Sequence, residues 1–485
     1  MRSAGILLHI SSLPSDYGIG AIGREAFEFI DFLKRSGQKF WQILPANPTG
    51  FGNSPYQSPC AFAGNTLLID LDELISMGLL NKSDFDSEFF GENEEKVDFE
   101  AVTLSKNNLL QKAFFRFSPD IGYIEFEGQN AHWLNDYALF SAVKEAFFGK
   151  PWYEWDDDIK NRLPEALHKY EHEYQDRIKF FKFCQYIFFR QWSAMHAYAK
   201  ENDIQIIGDI PIYVSYDSSD VWTKRHLFKL DKDGFPTSVA GCPPDAFSES
   251  GQLWGNPLYD WSKMAEDGYS WWIDRINASL LLYDYIRIDH FRGFESYYAI
   301  PYGDEDARGG IWEKGPGINL FNAIKSRVPQ AKIIAEDLGF LTEDVHKLLA
   351  DCGYPGMKVM QFAFDPYNDN PYLLHNHEKN SVVYTGTHDN DTTVGWYQSE
   401  NNKEFIRNYL GVAADDDVPD AMVRAALSSP CELAVIPLQD YLLCGARMNT
   451  PSTVNNDNWS YRVKKSQLND VLSHKIAQLA SIYKR

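Results

Sequence analysis

The stretch Tyr285-Ile286-Arg287-Ile288-Asp289-His290-Phe291-Arg292-Gly293 decides how the chain is read. It begins as a short β-branched strand and ends abruptly in polar residues and a glycine. Residues two apart on a strand face the same side, so Arg287 and Asp289 share one face while Ile286 and Ile288 take the other. A guanidinium beside a carboxylate keeps that carboxylate ionised and fixes its orientation. An acid set directly after apolar strand residues is costly unless it is hydrated, paired or used.

Seven further runs resemble this one. Apolar, β-branched segments bounded by turn residues predict buried parallel strands at 5–9, 40–44, 204–210, 285–289, 333–336, 358–363, 382–385 and 433–437. Between many of them the period changes to that of a helix, at 24–36, 271–282, 320–327 and 342–350. Strand and helix alternating eight times predict an α/β fold, a closed (β/α)8 TIM barrel, as one catalytic unit over 1–485. Two long intervals interrupt the alternation. Residues 46–203 carry helical patterns at 109–117, 131–148 and 176–200 and predict a mainly helical insertion. Residues 215–270 are rich in Gly, Pro, Asp and Trp and predict a loop-rich insertion.

Bulk properties narrow the partners. The chain has 485 residues, 44% hydrophobic and 24% charged, the balance of a soluble globular protein. Its net charge of −22 disfavours nucleic acid and anionic membranes. It suits a neutral substrate. Aromatics reach 15%, including 13 Trp and 27 Tyr, which serve both as core and as flat apolar platforms for sugar rings. Cys60, Cys184, Cys242, Cys352, Cys431 and Cys444 form no Cys-x-x-Cys pair and no metal-ligand spacing. They read as free thiols in a reducing, cytoplasmic compartment. The apolar run 5–10 is too short for a signal peptide, and no run approaches a membrane span.

Barrel enzymes place their chemistry at the C-terminal ends of the strands. Four predicted ends carry acids: Asp209 in Ile-Gly-Asp-Ile-Pro, Asp289, Glu336 with Asp337 in Ala-Glu-Asp-Leu-Gly, and Asp389 beside His388 in Thr-His-Asp-Asn. Several carboxylates with no phosphate loop and no Ser or Cys nucleophile motif suit glycoside chemistry. A retaining enzyme pairs a nucleophilic carboxylate with a protonated carboxyl about 5–5.5 Å away. Asp289 is read as the attacker and Glu336 as the proton donor, its pKa raised by burial and anionic neighbours. Asp389 is read as a clamp on the distorted, positively charged transition state.

At these residues the chain resembles the 4-α-glucanotransferases of glycoside hydrolase family seventy-seven, the amylomaltases, within the wider α-amylase clan. The likeness begins at Gly5-Ile-Leu-Leu-His-Ile-Ser-Ser-Leu-Pro and Ser54-Pro-Tyr-Gln-Ser-Pro. It continues at Gly208-Asp-Ile-Pro-Ile-Tyr-Val and Pro243-Pro-Asp-Ala-Phe-Ser-Glu-Ser-Gly-Gln-Leu-Trp-Gly-Asn-Pro. It ends at Arg447-Met-Asn-Thr-Pro and Asn458-Trp. The resemblance implies that Asp289 is the nucleophile, Glu336 the general acid/base and Asp389 the transition-state stabiliser. It implies that Arg287 and His388 contact the attached sugar, that Tyr56 stacks a donor glucose, and that Asp209 belongs to the site. Asp245, Gln252, Trp254 and Asn458 match positions lining the family's groove. Donors would be α-1,4-glucans and maltooligosaccharides, acceptors glucose or maltooligosaccharides, with no metal or organic cofactor.

The same acids would also serve an α-amylase-type hydrolase. A metal-dependent barrel enzyme is disfavoured by Arg287, which repels a cation beside Asp289. A non-catalytic glucan-binding protein is disfavoured because all the matched acids are intact. Transfer requires that water be kept out until the acceptor arrives. Residues 241–257 offer a lid, with Gly241, Gly251 and Gly255 as flexible points and Phe247 and Trp254 as apolar cover. The chain departs from the family pattern at Cys60, Cys242, Ala246 and Ser452. Ala246 stands where an aromatic is frequent, which weakens stacking on the acceptor side.

Overall fold

The structure is a computed structural model and describes residues 2–244, 249–339 and 341–485. Eight parallel strands form the barrel: β1 (Ser3–Leu7), β2 (Phe40–Gln42), β3 (Gln205–Ile210), β4 (Tyr285–Ile288), β5 (Ile333–Ala335), β6 (Gly356–Val359), β7 (Ser381–Tyr384) and β8 (Leu433–Pro437). β8 pairs with β1 and the ladder runs in chain order from β1 to β5 and from β6 to β8. The remaining seam, between β5 and β6, is bridged where Ala335 N donates to Pro355 O at 2.9 Å. All eight predicted runs become barrel strands. Two are displaced. The first strand ends at Leu7 because His9–Ser12 coils into a 3-10 turn. β6 begins at Gly356, two residues before the expected start, and Met360–Phe362 is a 3-10 turn.

Helices cover the outside. Arg24–Arg35 buries Phe29, Ile30, Phe32 and Leu33 on one face, the spacing that a period of 3.6 requires. Between β2 and β3 the chain is mainly helical. Phe99–Arg116 and Ile121–Ala146 start earlier than the periodicity predicts, because Asp98 accepts from Ala101 N and Asp120 from Tyr123 N. Those carboxylates satisfy donors that the first turn leaves open. The long helix Gln175–Glu201 packs on both Ile121–Ala146 and Arg24–Arg35, so it joins the helical excursion to the barrel wall.

The stretch read as loop-rich is more ordered than its composition suggests. Ser238–Cys242 and Gln252–Pro257 form an antiparallel hairpin, extended by Ser296–Pro301 and Ile311–Lys314 into a four-stranded sheet. Within the expected lid over 241–257, residues 241–242 and Gln252–Pro257 are therefore hairpin strand, not free loop. Gly241 is no flexible point either: a Cβ there would lie 2.2 Å from Gln252 O, so the glycine permits close strand approach. Phe247, the other half of the expected apolar cover, and Ala246 lie outside the described residues. Among the described residues no helix is long and apolar enough to cross a membrane. Cys60, Cys184, Cys352, Cys431 and Cys444 are free thiols.

Gly208 connects the core to the rim. It lies against the Tyr283 ring, and an added Cβ would come within 2.2 Å of it. Tyr283 is held there by Ala46 N, which donates to its hydroxyl at 3.2 Å. Gly208→Ala should overpack this contact and lower stability by about 1–3 kcal/mol. Urea unfolding should show a lower midpoint at an unchanged slope.

Candidate active site

The register of β3 and β4 places Asp209 directly opposite Arg287 inside the barrel. Both are buried, at 0% and 3% exposure. Arg287 Nη1 donates to Asp209 Oδ2 at 2.5 Å, and Nη2 pairs with Asp289 Oδ1 at 2.9 Å. One guanidinium thus holds two carboxylates. Its Nε faces Met357 Sδ of β6 at 3.4 Å. Burial works against the charge, yet Asp209 and Asp289 raise the Arg287 pKa well above its ordinary value. The ion pair read between Arg287 and Asp289 is present, and Asp209 is its second arm. Tyr56 completes the group by donating its hydroxyl to Asp209 Oδ2 at 2.8 Å.

Glu336 sits one strand further on. Ile288 and Ala335 are partners in the β4–β5 ladder, so Asp289 and Glu336 are the next residues along adjacent strands. Glu336 N continues the ladder to Ile288 O at 3.0 Å. Its side chain accepts from His290 N at 2.6 Å and Leu338 N at 2.8 Å. Burial, and then the charge of Asp289, push its carboxyl up to about 8, against the opposing pull of Arg287 and the two amides. Glu336 therefore favours its protonated form at neutral pH, while Asp289 faces a permanent cation.

His290 owes its place to backbone geometry. Its φ of 54° lies in the left-handed region, which swings its N–H toward Glu336. Its ring is lowered to about pKa 4 by burial and meets the Trp254 ring edge-on at 4.9 Å. Asp337 turns the other way and accepts from Met357 N at 2.6 Å, tying β5 to β6.

Asp389 is fixed from three sides. His388 Nε2 lies 3.3 Å from its Oδ2, Asn449 Nδ2 donates to Oδ1 at 2.7 Å, and Arg447 donates to its main-chain carbonyl at 2.7 Å. Desolvation opposes ionisation, but His388, Asn449 and Arg287 hold the carboxyl well below the usual range. Asp389 in turn raises the His388 pKa against the effect of burial. Tyr56 stacks on the His388 ring at 5.1 Å and 16°, with Trp459 5.7 Å from Tyr56. The result is an aromatic floor beside the acids.

A cleft of about 680 Å³ opens over this floor, lined by Tyr56, Gln252, Trp254, Asp289, Asp389 and Trp459 among others. That size suits a small-molecule site. Gln252 and Trp254 come from the hairpin and bond to each other, Trp254 Nε1 to Gln252 Oε1 at 3.0 Å. Asp209 and Arg287 lie behind the acids as their support.

The placement of Asn458 corrects the expectation of a groove contact. Its Oδ1 accepts from Thr450 N at 3.0 Å and its Nδ2 donates to Thr453 O at 2.9 Å. The buried amide shapes the loop that carries Asn449, and its neighbour Trp459 faces the cleft instead. Asp245 lies outside the described residues. Sequence reasoning gave no role to Asn449 or Trp459, although both stand in motifs that it quoted. Among the described residues no three His, Cys, Asp or Glu side chains are grouped to hold a metal ion.

A barrel rim with a cation-paired carboxylate, a carboxyl of raised pKa and an aromatic cleft defines a class: carboxylate-dependent (β/α)8 enzymes acting on glycosidic bonds. The family model described as 4-alpha-glucanotransferase matches residues 8–468, and the chain belongs to that family. It is 47% identical to a 4-alpha-glucanotransferase of Clostridium butyricum, over 99% of this chain and 100% of that one. It is 43% identical to the 4-alpha-glucanotransferase of Thermus thermophilus, over 100% and 99%. Its structure superposes with a TM-score of 0.97 on an amylomaltase from Streptococcus agalactiae in complex with acarbose, at 41% identity and with both chains fully covered.

Arg287→Met should leave Asp209 buried beside an apolar side chain. Removing one member of a buried pair costs about 3–5 kcal/mol, so denaturant unfolding should show that loss even in the absence of any sugar.

Proposed function

We propose that the chain transfers α-1,4-glucan segments between maltooligosaccharides with retention, through a glucosyl ester on Asp289. The observation that carries the reading is the pairing of Asp289 on Arg287 with a Glu336 of raised pKa on the adjacent strand. Asp289 attacks the anomeric carbon, and the bond from that carbon to the bridging oxygen breaks. The proton of Glu336 passes to the departing oxygen, which leaves as the 4-hydroxyl of the released chain. An acceptor 4-hydroxyl then gives its proton to Glu336 and displaces Asp289 from the sugar. The enzyme returns to its starting state, and one glycosidic bond has been exchanged for another.

The ionised Asp389 lies where positive charge develops on the sugar ring, and His388 and Asn449 hold it there in advance. Tyr56 and Trp254 offer flat apolar faces for glucose rings, and Gln252 a polar edge between them. The hairpin that carries Gln252 and Trp254 would help exclude water from the ester, which favours a sugar acceptor.

Maltotriose as sole substrate tests the reading. A ladder of longer maltooligosaccharides with free glucose is expected, and products that are only shorter would contradict transfer. Glu336 must hold its proton when the ester forms, so kcat/KM should fall as pH rises through about 8. Glu336→Gln should be slow and should lose that alkaline limb.

A further inference from the structure

A second cavity lies outside the barrel, behind the catalytic rim. Strand alternation places it there. Met357 reaches Arg287 within the barrel, so the next residue, Lys358, turns outward. Glu336 turns toward Asp289, and Asp337 turns away toward the start of β6. Asp337 and Lys358, with His346, Tyr354 and Tyr372, wall a space of about 840 Å³. That is as roomy as the catalytic cleft and within the range of small-molecule sites.

The wall is built, and part of its polar capacity is unspent. Asp337 is only 7% exposed, and its Oδ1 is occupied by Met357 N. Gly356 lets the carboxylate lie over the strand, since a Cβ there would be 2.4 Å from Asp337 Oδ2. Tyr354 is fixed by edge-on contacts with Phe291 and Phe321 at 6.4 and 5.6 Å. Lys358 Nζ stands 5.8 Å from the centre of the Tyr372 ring. Among the described residues, Lys358 Nζ and the Tyr354 hydroxyl have no hydrogen-bond or ion-pair partner in the chain, and the Asp337 carboxylate bonds main-chain N–H groups only.

The groove at Trp133 and Tyr283 differs in this respect. Its Asp284 is bonded to Ile206 N and His196, its Asn130 to Trp133 and Phe126 O, and both rings are buried.

The charges choose the ligand class. Asp337, Asp369 and Glu378 outnumber Lys358 on the wall, which disfavours an anion. Lys358 close to Asp337 disfavours a divalent cation. A neutral vicinal diol fits both: one hydroxyl donates to the carboxylate while its neighbour accepts from the ammonium. The Tyr372 ring adds an apolar face. We propose that this cavity binds a neutral sugar, a glucose unit or maltose, across the Glu336–Asp337 segment from the catalytic cleft. The choice of sugar rests on the glucan reading above. An occupant held by Asp337 is one peptide away from Glu336, so its binding can reach the proton carrier.

The test is calorimetric titration of maltose into the Asp289→Asn protein, in which the retaining reading expects sugar binding without turnover. Heats from the cleft and from a further site are expected. In this background Lys358→Met should abolish the further site and leave the cleft affinity unchanged. Tyr354→Phe, which keeps the ring packing, should weaken the further site by about fivefold, the loss of one hydrogen bond. Maltose binding that is identical in all three proteins overturns the inference and leaves the cleft reading intact. Competition of inorganic phosphate for the Lys358-dependent site also overturns it, by assigning the pocket to an anion. Absence of any maltose binding counts first against the glucan reading of the cleft.

Discussion

Arg287 is shared inside the barrel between Asp209 and Asp289, and the rim is arranged around that sharing. Burying charge is expensive, and a buried pair survives only where its geometry is good and its remaining hydrogen-bonding capacity is used. Arg287 meets the condition through two carboxylates and the Met357 sulfur. Asp209 meets it on Oδ2 alone, which takes both Arg287 and Tyr56, while its buried Oδ1 has no hydrogen-bond partner among the described residues. The consequences spread outward. Tyr56, tethered to Asp209, stacks on His388; His388 holds Asp389; Asn449 holds it from the opposite loop. A single guanidinium therefore connects Asp289, the aromatic floor and Asp389.

The same cation sets the acids apart. Asp289 touches it directly, whereas Glu336 is pushed up by burial and by the charge of Asp289. Two carboxyl groups on neighbouring strands thus receive opposite tasks from their surroundings rather than from their chemistry. The backbone contributes as well. The left-handed His290 and the turn at Leu338 present N–H groups to Glu336, fixing the carboxyl in place. These amides favour the ionised form, and burial outweighs them.

Much of this was legible because the barrel strands are short apolar runs that end in acids. Periodicity located all eight, and position after the run marked Asp209, Asp289, Glu336 and Asp389. What escaped the sequence depends on partners distant in the chain. The Asp209–Arg287 contact follows from the register of β3 against β4, which no local pattern encodes. Gly356 lies just before the predicted run 358–363, and its missing side chain makes room for Asp337. The early helix starts at Asp98 and Asp120 rest on capping side chains, which hydrophobic periodicity does not register. Glycines and prolines disguised the hairpin of Ser238–Cys242 and Gln252–Pro257 as loop. Asn458 sat in a matched motif, yet its amide is spent on its own loop, and Asn449 and Trp459 face the chemistry.

The central claim is a covalent bond from Asp289 to the sugar, made possible by its pairing with Arg287. The most direct measurement is mass spectrometry of the Glu336→Gln protein treated with α-maltosyl fluoride. Fluoride leaves without a proton from residue 336, and the glutamine cannot activate an acceptor, so the ester should persist. The account predicts one maltosyl group per chain, carried on the peptide that contains Asp289. An unmodified protein that still consumes the fluoride, or a maltosyl group on another carboxylate, would contradict it.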